Sequence, residues 1–434
     1  MINKTILVIG TYDTKDDELG FLADVIQAQG GQVVTTDVSV LGDPSKPTDY
    51  SKHDVAQEGG SSIQAAIASG NENQAVQIMA TGAALLAARL FTEGRFDGLI
   101  VLGGTMGTDL ALDVCSAVPL GVPKYIVSTV SFSPLIPAER LAADTQMILW
   151  AGGLYGLNSV CKASLSQAAG AVLGAARAVQ MPDPDKPLIG MTSLGTSALK
   201  YVIPLKPALE ARGFEVAVFH ATGMGGGAFE SLARQGAFAC VFDLCTQELG
   251  NHVHGSNISA GADRLTNAGL NGTPQIVAPG CYDLVDVVGW QPLPDKWSDH
   301  LKHEHNRLLT SIVLNDDERR LVARAHGAQL AKATGPVAML LPEKGLGEWD
   351  RAGADLHNQA GLNAFLLELE QTLPSNVIAH RIECHINDAE FADKALEIFD
   401  DWRAKGVIAW LTLEKAPSNK TNLRRGGRFR SLAI

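Results

Sequence analysis

The sequence predicts an α/β protein with two Rossmann-like domains, each built on a doubly wound parallel sheet, and a cleft between them. Two observations support this fold class. Short apolar runs alternate with helical patterns, and loops rich in glycine and threonine follow the runs. The strand–loop–helix order that begins at residues 5–10, TILVIG, also returns after residue 187. Ligands of such sheets bind beyond the carboxyl ends of the strands, so we expect the function there.

The first unit is predicted to span residues 1–180 and the second residues 188–413. Residues 181–187 contain three prolines and are predicted to be the linker, because proline interrupts both helices and sheets. Residues 414–434 form a basic tail, which suits a solvated terminus or a contact with RNA or an acidic partner. Strands of the first unit are predicted at 5–10, 32–38, 76–80, 98–103 and 124–129, before a mostly helical segment at 141–180. Strands of the second unit are predicted at 188–190, 214–220, 240–244, 337–341 and 377–382, and residues 238–246 and 273–280 resemble the stretches 96–105 and 122–129 of the first unit.

Composition excludes several classes of function. The 35 Lys and Arg residues face 47 Asp and Glu residues, so the net charge of −12 argues against general nucleic-acid binding. An anionic ligand still fits, because helix N-termini bind phosphate through backbone N–H groups. No run approaches 18 uninterrupted apolar residues, which argues against a membrane span. The six cysteines show no CxxC pair, and the chain begins directly with a strand, so a cytoplasmic protein is expected.

The strongest local signal is the stretch LGGTMGTDLA at 102–111. A buried strand ends there and a helix begins, with glycines and threonines between them. Consecutive N–H groups in such a turn bind phosphate oxygens, aided by the helix dipole. The predicted phosphate-binding residues are Gly103, Gly104, Thr105, Gly107 and Thr108. The alternative is an ordinary turn with Thr108 or Asp109 as the N-cap, since the loop lacks the lysine of a P-loop.

Three further loops are expected to reach the same crevice, at 10–14, 191–196 and 220–227. The last has four glycines between a strand and a helix. Together the four loops indicate a ligand site rather than four unrelated turns. They add these predicted ligand-binding residues: Gly10, Thr11, Asp13, Thr14, Thr192, Gly223, Gly225 and Gly226.

Asp13 and Asp243 are the candidate metal ligands, because each carboxylate lies at the end of a strand. A Mg²⁺ ion is the natural source of positive charge beside phosphates when the loop has no lysine. The alternative for Asp13 is a cap of the helix that follows it, although Thr14 is the favoured residue for that cap. The alternative for Asp243 is a role in a turn. The histidine groups 252/254 and 300/303/305 lack the spacing of a zinc site.

At these motifs the sequence resembles the family of the ATP-binding N-terminal domain of the tomato mosaic virus resistance protein, which has many uncharacterised bacterial relatives. The resemblance implies two Rossmann-like subdomains, association into dimers, and ATP binding in the first subdomain through residues 10–14 and 103–108. Met106 departs from the family, since glycine is usual there. The matching stretches are GTYDTK (10–15), LGGTMGT (102–108), GVPKYIVST (121–129), AGGLYGLN (151–158), FHATGMGG (219–226) and HIND (385–388).

Two classes of function fit these features. In the first, the protein binds Mg-ATP and transfers a phosphoryl or adenylyl group to a small acidic metabolite in the interdomain cleft, with His220 as acid or base. In the second, it is a non-catalytic, nucleotide-gated module that acts through a protein partner. A homodimer is also expected, through the helix around Gly170 and Gly174 or the segment 150–158. The alternative is that these residues pack between the two domains of one chain.

Overall fold

The first domain of the computed structural model, which describes residues 3–181 and 186–408, contains one five-stranded parallel sheet. The strand order β2-β1-β3-β4-β5 reverses direction between β1 and β3, as in doubly wound folds. The strands are β1 (Thr5–Gly10), β2 (Gln32–Asp37), β3 (Gly98–Gly103), β4 (Lys124–Ser128) and β5 (Thr145–Leu149). The helices are α1 (Asp16–Ala28), α2 (Lys52–Glu58), α3 (Ile63–Ala68), α4 (Glu72–Thr92), α5 (Thr105–Ala117) and α6 (Ser159–Ala178).

Helices cover both faces of this sheet, which explains why its central strands read as continuous apolar runs. Ile6 and Val8 pack with residues of α1 and α6 on one face. Leu7 and Ile9 pack with residues of α2, α4 and α5 on the other. Alternation along β1 therefore divides the core into two layers.

Two local predictions in this domain are wrong. Residues 76–80 lie within α4 and not in a strand, because their apolar side chains continue a helical stripe through Met79, Ala83 and Leu86. The segment 141–180 contains the strand β5, and its helix begins only at Ser159. β5 is an edge strand with half-buried residues, so its apolar pattern is weak.

Helix α4 also has the length and composition of a membrane span, and among residues 3–181 and 186–408 it is the one helix that does. Half of its most apolar window is buried inside the domain, and it packs against α2 and α5. A core helix has these properties too, so α4 is weak evidence for a membrane segment.

The second domain repeats the strand order of the first and adds one strand. Its six-stranded parallel sheet has the order β14-β13-β9-β8-β6-β7. A three-stranded antiparallel sheet, β10-β12-β11, was not predicted. The strands are β6 (Leu188–Ser193), β7 (Glu215–His220), β8 (Phe238–Cys245), β9 (Gln275–Gly280), β10 (Leu284–Val288), β11 (Lys302–Glu304), β12 (Leu309–Val313), β13 (Val337–Pro342) and β14 (Val377–Ile382). The helices are α7 (Val202–Ala211), α8 (Met224–Arg234), α9 (Gln247–Val253), α10 (Asn267–Leu270), α11 (Asp316–Leu330), α12 (Gln359–Thr372) and α13 (Ala389–Ala404).

The predicted fold class, two doubly wound Rossmann-like domains, is confirmed. The domains touch through a short 3-10 helix of the first, Ala138–Arg140, which packs against α8 of the second. Most of the predicted linker and the whole predicted tail lie outside the described residues.

Candidate functional site

A pocket of about 690 Å³ opens at the carboxyl edge of the first sheet, between β1 and β3. This is the point where the strand order reverses, and doubly wound sheets bind ligands at such switch points. The walls come from the loops after β1, β2 and β3 and from the segment that joins α3 to α4. Its lining residues belong to the first domain, so this pocket does not lie between the domains. We call it the switch-point pocket.

The structure brings two of the four predicted loops together in this pocket. The predicted residues that line it are Thr11, Asp13, Thr14, Gly103, Gly104, Thr105 and Gly107. Two others lie behind the surface. A side chain at Gly10 would collide with Leu19 of α1. The buried Thr108 hydroxyl donates to the Gly104 carbonyl at 2.7 Å and contacts Ser128 Oγ at 2.6 Å.

The loop between β3 and α5 leaves the start of the helix uncapped by side chains. Gly104 is the N-cap of α5, and the first turn contains no acidic residue. The N–H groups of that turn therefore keep the capacity to bind an anion. A Cβ at Gly103 would lie 2.5 Å from Gly107 Cα, so the tight turn requires glycine there. A Cβ at Gly104 would meet only Thr129 Oγ1, at 3.7 Å.

Asp13 connects the loop after β1 to the loop after β2. Its N–H donates to Ser39 Oγ at 3.0 Å, and its Oδ2 accepts from the Gly42 N–H at 3.1 Å. The predicted capping role of Thr14 is wrong, because α1 has Lys15 at its N-cap and no side-chain cap. The Thr14 hydroxyl instead contacts Thr11 Oγ1 at 3.1 Å.

Asp37 holds the same two loops from behind and was missed by the sequence analysis. Its Oδ1 accepts from the N–H groups of Tyr12 at 3.2 Å and Ser39 at 2.9 Å. Burial raises the pKa of this carboxyl, although the Ser39 hydroxyl and the two N–H groups oppose the shift. Burial also raises the pKa of Tyr12. An acidic residue at the end of β2, opposite Gly10, was the available signal.

Lys15 is the second residue that the sequence analysis missed. It lines the switch-point pocket, and its Nζ donates to Thr14 Oγ1 at 3.2 Å. Within residues 3–181 and 186–408 its ammonium group forms no ion pair. The β3–α5 loop lacks a lysine, but the neighbouring β1–α1 loop brings one into the pocket.

The glycine loop of the second domain is occupied by the protein itself. Glu248 Oε1 accepts from the N–H groups of Gly223 at 2.5 Å and Gly226 at 3.0 Å. A Cβ at Gly226 would overlap the Glu248 carboxylate, and one at Gly225 would overlap the His220 carbonyl. The donors that the sequence assigns to a phosphate thus bind an internal carboxylate at the start of α8.

Asp243 and Thr192 belong to the same buried network. Asp243 accepts from Arg264 Nη1 at 2.5 Å and Nη2 at 2.7 Å, and from Thr192 Oγ1 at 2.8 Å. Arg264 Nε also contacts Glu248 at 2.9 Å, and burial raises the pKa of Glu248 to about 7. Because Arg264 and Thr192 take both carboxylate oxygens, this geometry argues against Asp243 as a metal ligand.

Three of the histidines singled out in the sequence make contacts within the second domain. His300 Nε2 pairs with Glu318 at 3.0 Å, and the ring of His303 packs on Trp349 at 4.1 Å. His220 Nδ1 accepts from the Gly195 N–H at 3.3 Å. No cluster of three or more metal-binding side chains occurs in the described ranges 3–181 and 186–408.

Both halves of the chain match one family. Residues 4–181 match the Uncharacterised protein family (UPF0261) N-terminal domain, and residues 186–403 match its C-terminal domain. The chain belongs to the UPF0261 family. A UPF0261 protein of Brucella melitensis is 52% identical over 403 residues, which cover 93% of this chain and 96% of that protein. A UPF0261 protein of Clostridium tetani is 34% identical over 396 residues, covering 90% and 97%.

The resemblance to the tomato protein is also confirmed. The ToMV resistance protein Tm-1 of Solanum lycopersicum is 28% identical over 425 residues, which cover 91% of this chain and 55% of that protein. Among solved structures, MurG of Acinetobacter baumannii matches over 92% of this chain and 99% of its own, at 12% identity and a TM-score of 0.20. That score is too low to indicate a function.

Proposed function

We propose that the switch-point pocket binds ATP or a similar phosphorylated nucleotide. The observation that supports this is the meeting of two glycine- and threonine-containing loops, after β1 and β3, in one pocket at the switch point of the sheet. The volume of about 690 Å³ lies within the range of roughly 300–1,000 Å³ common for small-molecule sites. The similarity to the tomato protein family, with its ATP-binding N-terminal domain, points the same way.

The lining suggests how a nucleotide lies in the pocket. Apolar side chains, among them Val38, Ile67 and Met79, form one wall and suit a nucleobase. The uncapped start of α5 and the ammonium group of Lys15 suit the phosphates. Asp13 lines the same region, and a Mg²⁺ ion on the phosphates would have its Oδ1 as the nearest candidate ligand, since Oδ2 binds Gly42.

Nucleotide binding could serve either of two functions. The first is enzymatic, the transfer of a phosphoryl or adenylyl group. The second is a non-catalytic, nucleotide-gated module, and one contact favours it. The segment Ala138–Arg140 binds α5 through Arg140, and its Ala138 carbonyl lies beside Gly227 of the second domain. A shift of α5 on nucleotide binding would therefore reach the second domain through Arg140, which contacts Asp109 and Asp113 of that helix, and a partner protein would bind the shifted arrangement.

Calorimetry with ATP, ADP and adenosine, in Mg²⁺ and in EDTA, tests the binding proposal. We expect ATP to bind in Mg²⁺ at micromolar to low millimolar concentration. The absence of heat for every nucleotide would end the proposal. A screen of small metabolites for release of ADP, AMP or pyrophosphate then separates enzyme from module, because steady turnover with one metabolite is incompatible with a module.

Lys15→Gln is expected to weaken ATP binding about tenfold and leave adenosine binding unchanged, because only the phosphates meet the ammonium group. Calorimetry on both ligands gives the two affinities. Lys4→Gln is the matched control, since Lys4 pairs with Asp97 at the start of β1, away from the pocket. Equal losses for ATP and adenosine would show that Lys15 shapes the loop and does not bind phosphate.

We also propose that the protein is a homodimer that uses α6 or the segment 150–158. Tyr155 is 96% exposed, and no atom lies within 4 Å of a Cβ at Gly174. Internal packing therefore does not account for either residue. Light scattering is expected to give twice the chain mass of 45.9 kDa. Gly174→Leu is expected to yield folded monomers if α6 is the interface, whereas a wild-type mass near 45.9 kDa would refute the dimer.

A further inference from the structure

A second, smaller pocket lies on the other side of the start of α5. Its volume is about 270 Å³, and it shares Thr105, Met106 and Val76 with the switch-point pocket. The side chain of Met106 is 44% exposed and stands where the two pockets meet. The second pocket is therefore adjacent to the loop that we assign to the phosphates.

The walls of the second pocket are mainly apolar. Leu112, Val130, Leu135 and Ile136 line it, and Leu135 remains 66% exposed to solvent. A large apolar side chain exposed on the rim of a pocket is a common feature of ligand sites. Burial of a ligand's hydrocarbon part against these side chains would remove that exposure.

The charges of the second pocket disfavour an acidic ligand. Arg140 is its cation, but the guanidinium pairs with Asp109 and, at 2.8 Å, with Asp113. Glu72 and Asp109 also line the pocket. One guanidinium, already paired, faces two lining carboxylates, and Lys15 lines the switch-point pocket but not this one, so a second anion would be repelled here. Arg140 instead holds the segment before it against α5.

We propose that this second pocket binds the apolar body of a small uncharged molecule, next to the terminal phosphate of a nucleotide in the switch-point pocket. The inference rests on the nucleotide proposal. It replaces the acidic metabolite expected from the sequence with a neutral ligand whose hydrocarbon part lies against Leu135 and Ile136. The volume of about 270 Å³ suits a short hydrocarbon group such as a hexyl chain.

Two esters of ATP test the second pocket directly. The γ-phosphate carries an n-hexyl group in one and a methyl group in the other, so both have the same charge and differ only in hydrocarbon length. Calorimetry on the full-length protein is expected to show about tenfold tighter binding of the hexyl ester, because its chain enters the apolar pocket. Equal affinities, or weaker binding of the hexyl ester, would overturn the inference while leaving nucleotide binding intact. Failure of ATP and both esters to bind would overturn the nucleotide proposal as well.

Leu135→Asn tests whether the hexyl group lies in this pocket, because asparagine removes the apolar side chain without adding a charge beside the phosphates. Leu135 is 66% exposed, so the substitution should not affect folding. The preference for the hexyl ester is expected to fall below about twofold, while the affinity for the methyl ester stays unchanged. Ile203→Asn on α7 is the matched control, since Ile203 is 70% exposed and lies in the second domain. A hexyl preference that survives Leu135→Asn, or an equal loss for both esters, would contradict the assignment.

Discussion

Replacing Gly104 with valine is expected to abolish nucleotide binding and leave the fold intact. Gly104 is the N-cap of α5 and lines the switch-point pocket, at the loop assigned to the phosphates. Its φ of −76° suits any residue, and an added Cβ would meet only Thr129 Oγ1, at 3.7 Å. The added Cβ therefore has no close protein neighbour, and the two methyl groups of valine would take space that a phosphate needs. We expect a loss of at least about 100-fold in ATP affinity, or about 2.7 kcal/mol, by calorimetry.

Two other glycines separate loss of binding from loss of structure. Gly20→Ala lies on α1, where no atom comes within 4 Å of the new Cβ, so it should leave the affinity unchanged and raise the melting temperature slightly, because alanine favours the helix more than glycine does. Gly103→Ala places its Cβ 2.5 Å from Gly107 Cα, so it should lower the melting temperature and binding together. A Gly104→Val protein that binds ATP as the wild type does would place the phosphates elsewhere.

The switch-point pocket was predictable from the sequence because its main loops follow buried strands directly. An apolar run such as residues 98–103, followed by glycines and threonines, specifies both a strand and an open turn. The parallel arrangement then brings the loops after β1 and β3 to the same edge. The position of residues 10–14 and 103–108 at the pocket could therefore be predicted without knowledge of long-range packing.

The remaining walls of the pocket were not predictable, because their structure depends on contacts between elements that are distant in the sequence. Residues 76–80, AVQIM, form an apolar stretch that suits a strand as well as a helix, and only packing against α5 decides between them. That helix supplies the apolar wall at Val76 and Met79. Lys15 was not predicted, because the lysine of a P-loop lies in the phosphate-binding loop itself, whereas the cation that lines this pocket belongs to the neighbouring β1–α1 loop.

Two domains with the same strand order differ in what their glycine loops contact. Its glycine loop has the composition of an anion site, yet Glu248, which lies 22 residues after Gly226, takes the N–H groups. Arg264 compensates the buried carboxylates. Such contacts depend on the folded arrangement of β7, β8 and their helices, and local sequence does not reveal them. This occupation is the reason why our proposal assigns the nucleotide to the first domain alone.

Arg264→Met is expected to destabilise the protein by about 3–5 kcal/mol, the largest stability effect that we predict for a single substitution. Arg264 is fully buried and pairs with Asp243 at 2.5 Å, Glu248 at 2.9 Å and Glu230 at 3.2 Å. Methionine has a similar shape but no charge, so the three carboxylates would lose their common cation in a site without water access. Urea unfolding, followed by tryptophan fluorescence, measures the loss, since five of the six tryptophans follow residue 187.

Arg234→Met is the matched control for this prediction. Arg234 pairs with Asp263 in the same region, but its side chain is 54% exposed, so its loss should cost less than about 1 kcal/mol. Adding Asp243→Asn to Arg264→Met should recover part of the stability, because it removes one of the uncompensated charges. If Arg264→Met unfolds at the urea concentration of the wild type, the network does not stabilise the second domain. In that case the occupation of the glycine loop by Glu248 would need another explanation, and an external anion at that loop would become the alternative to test.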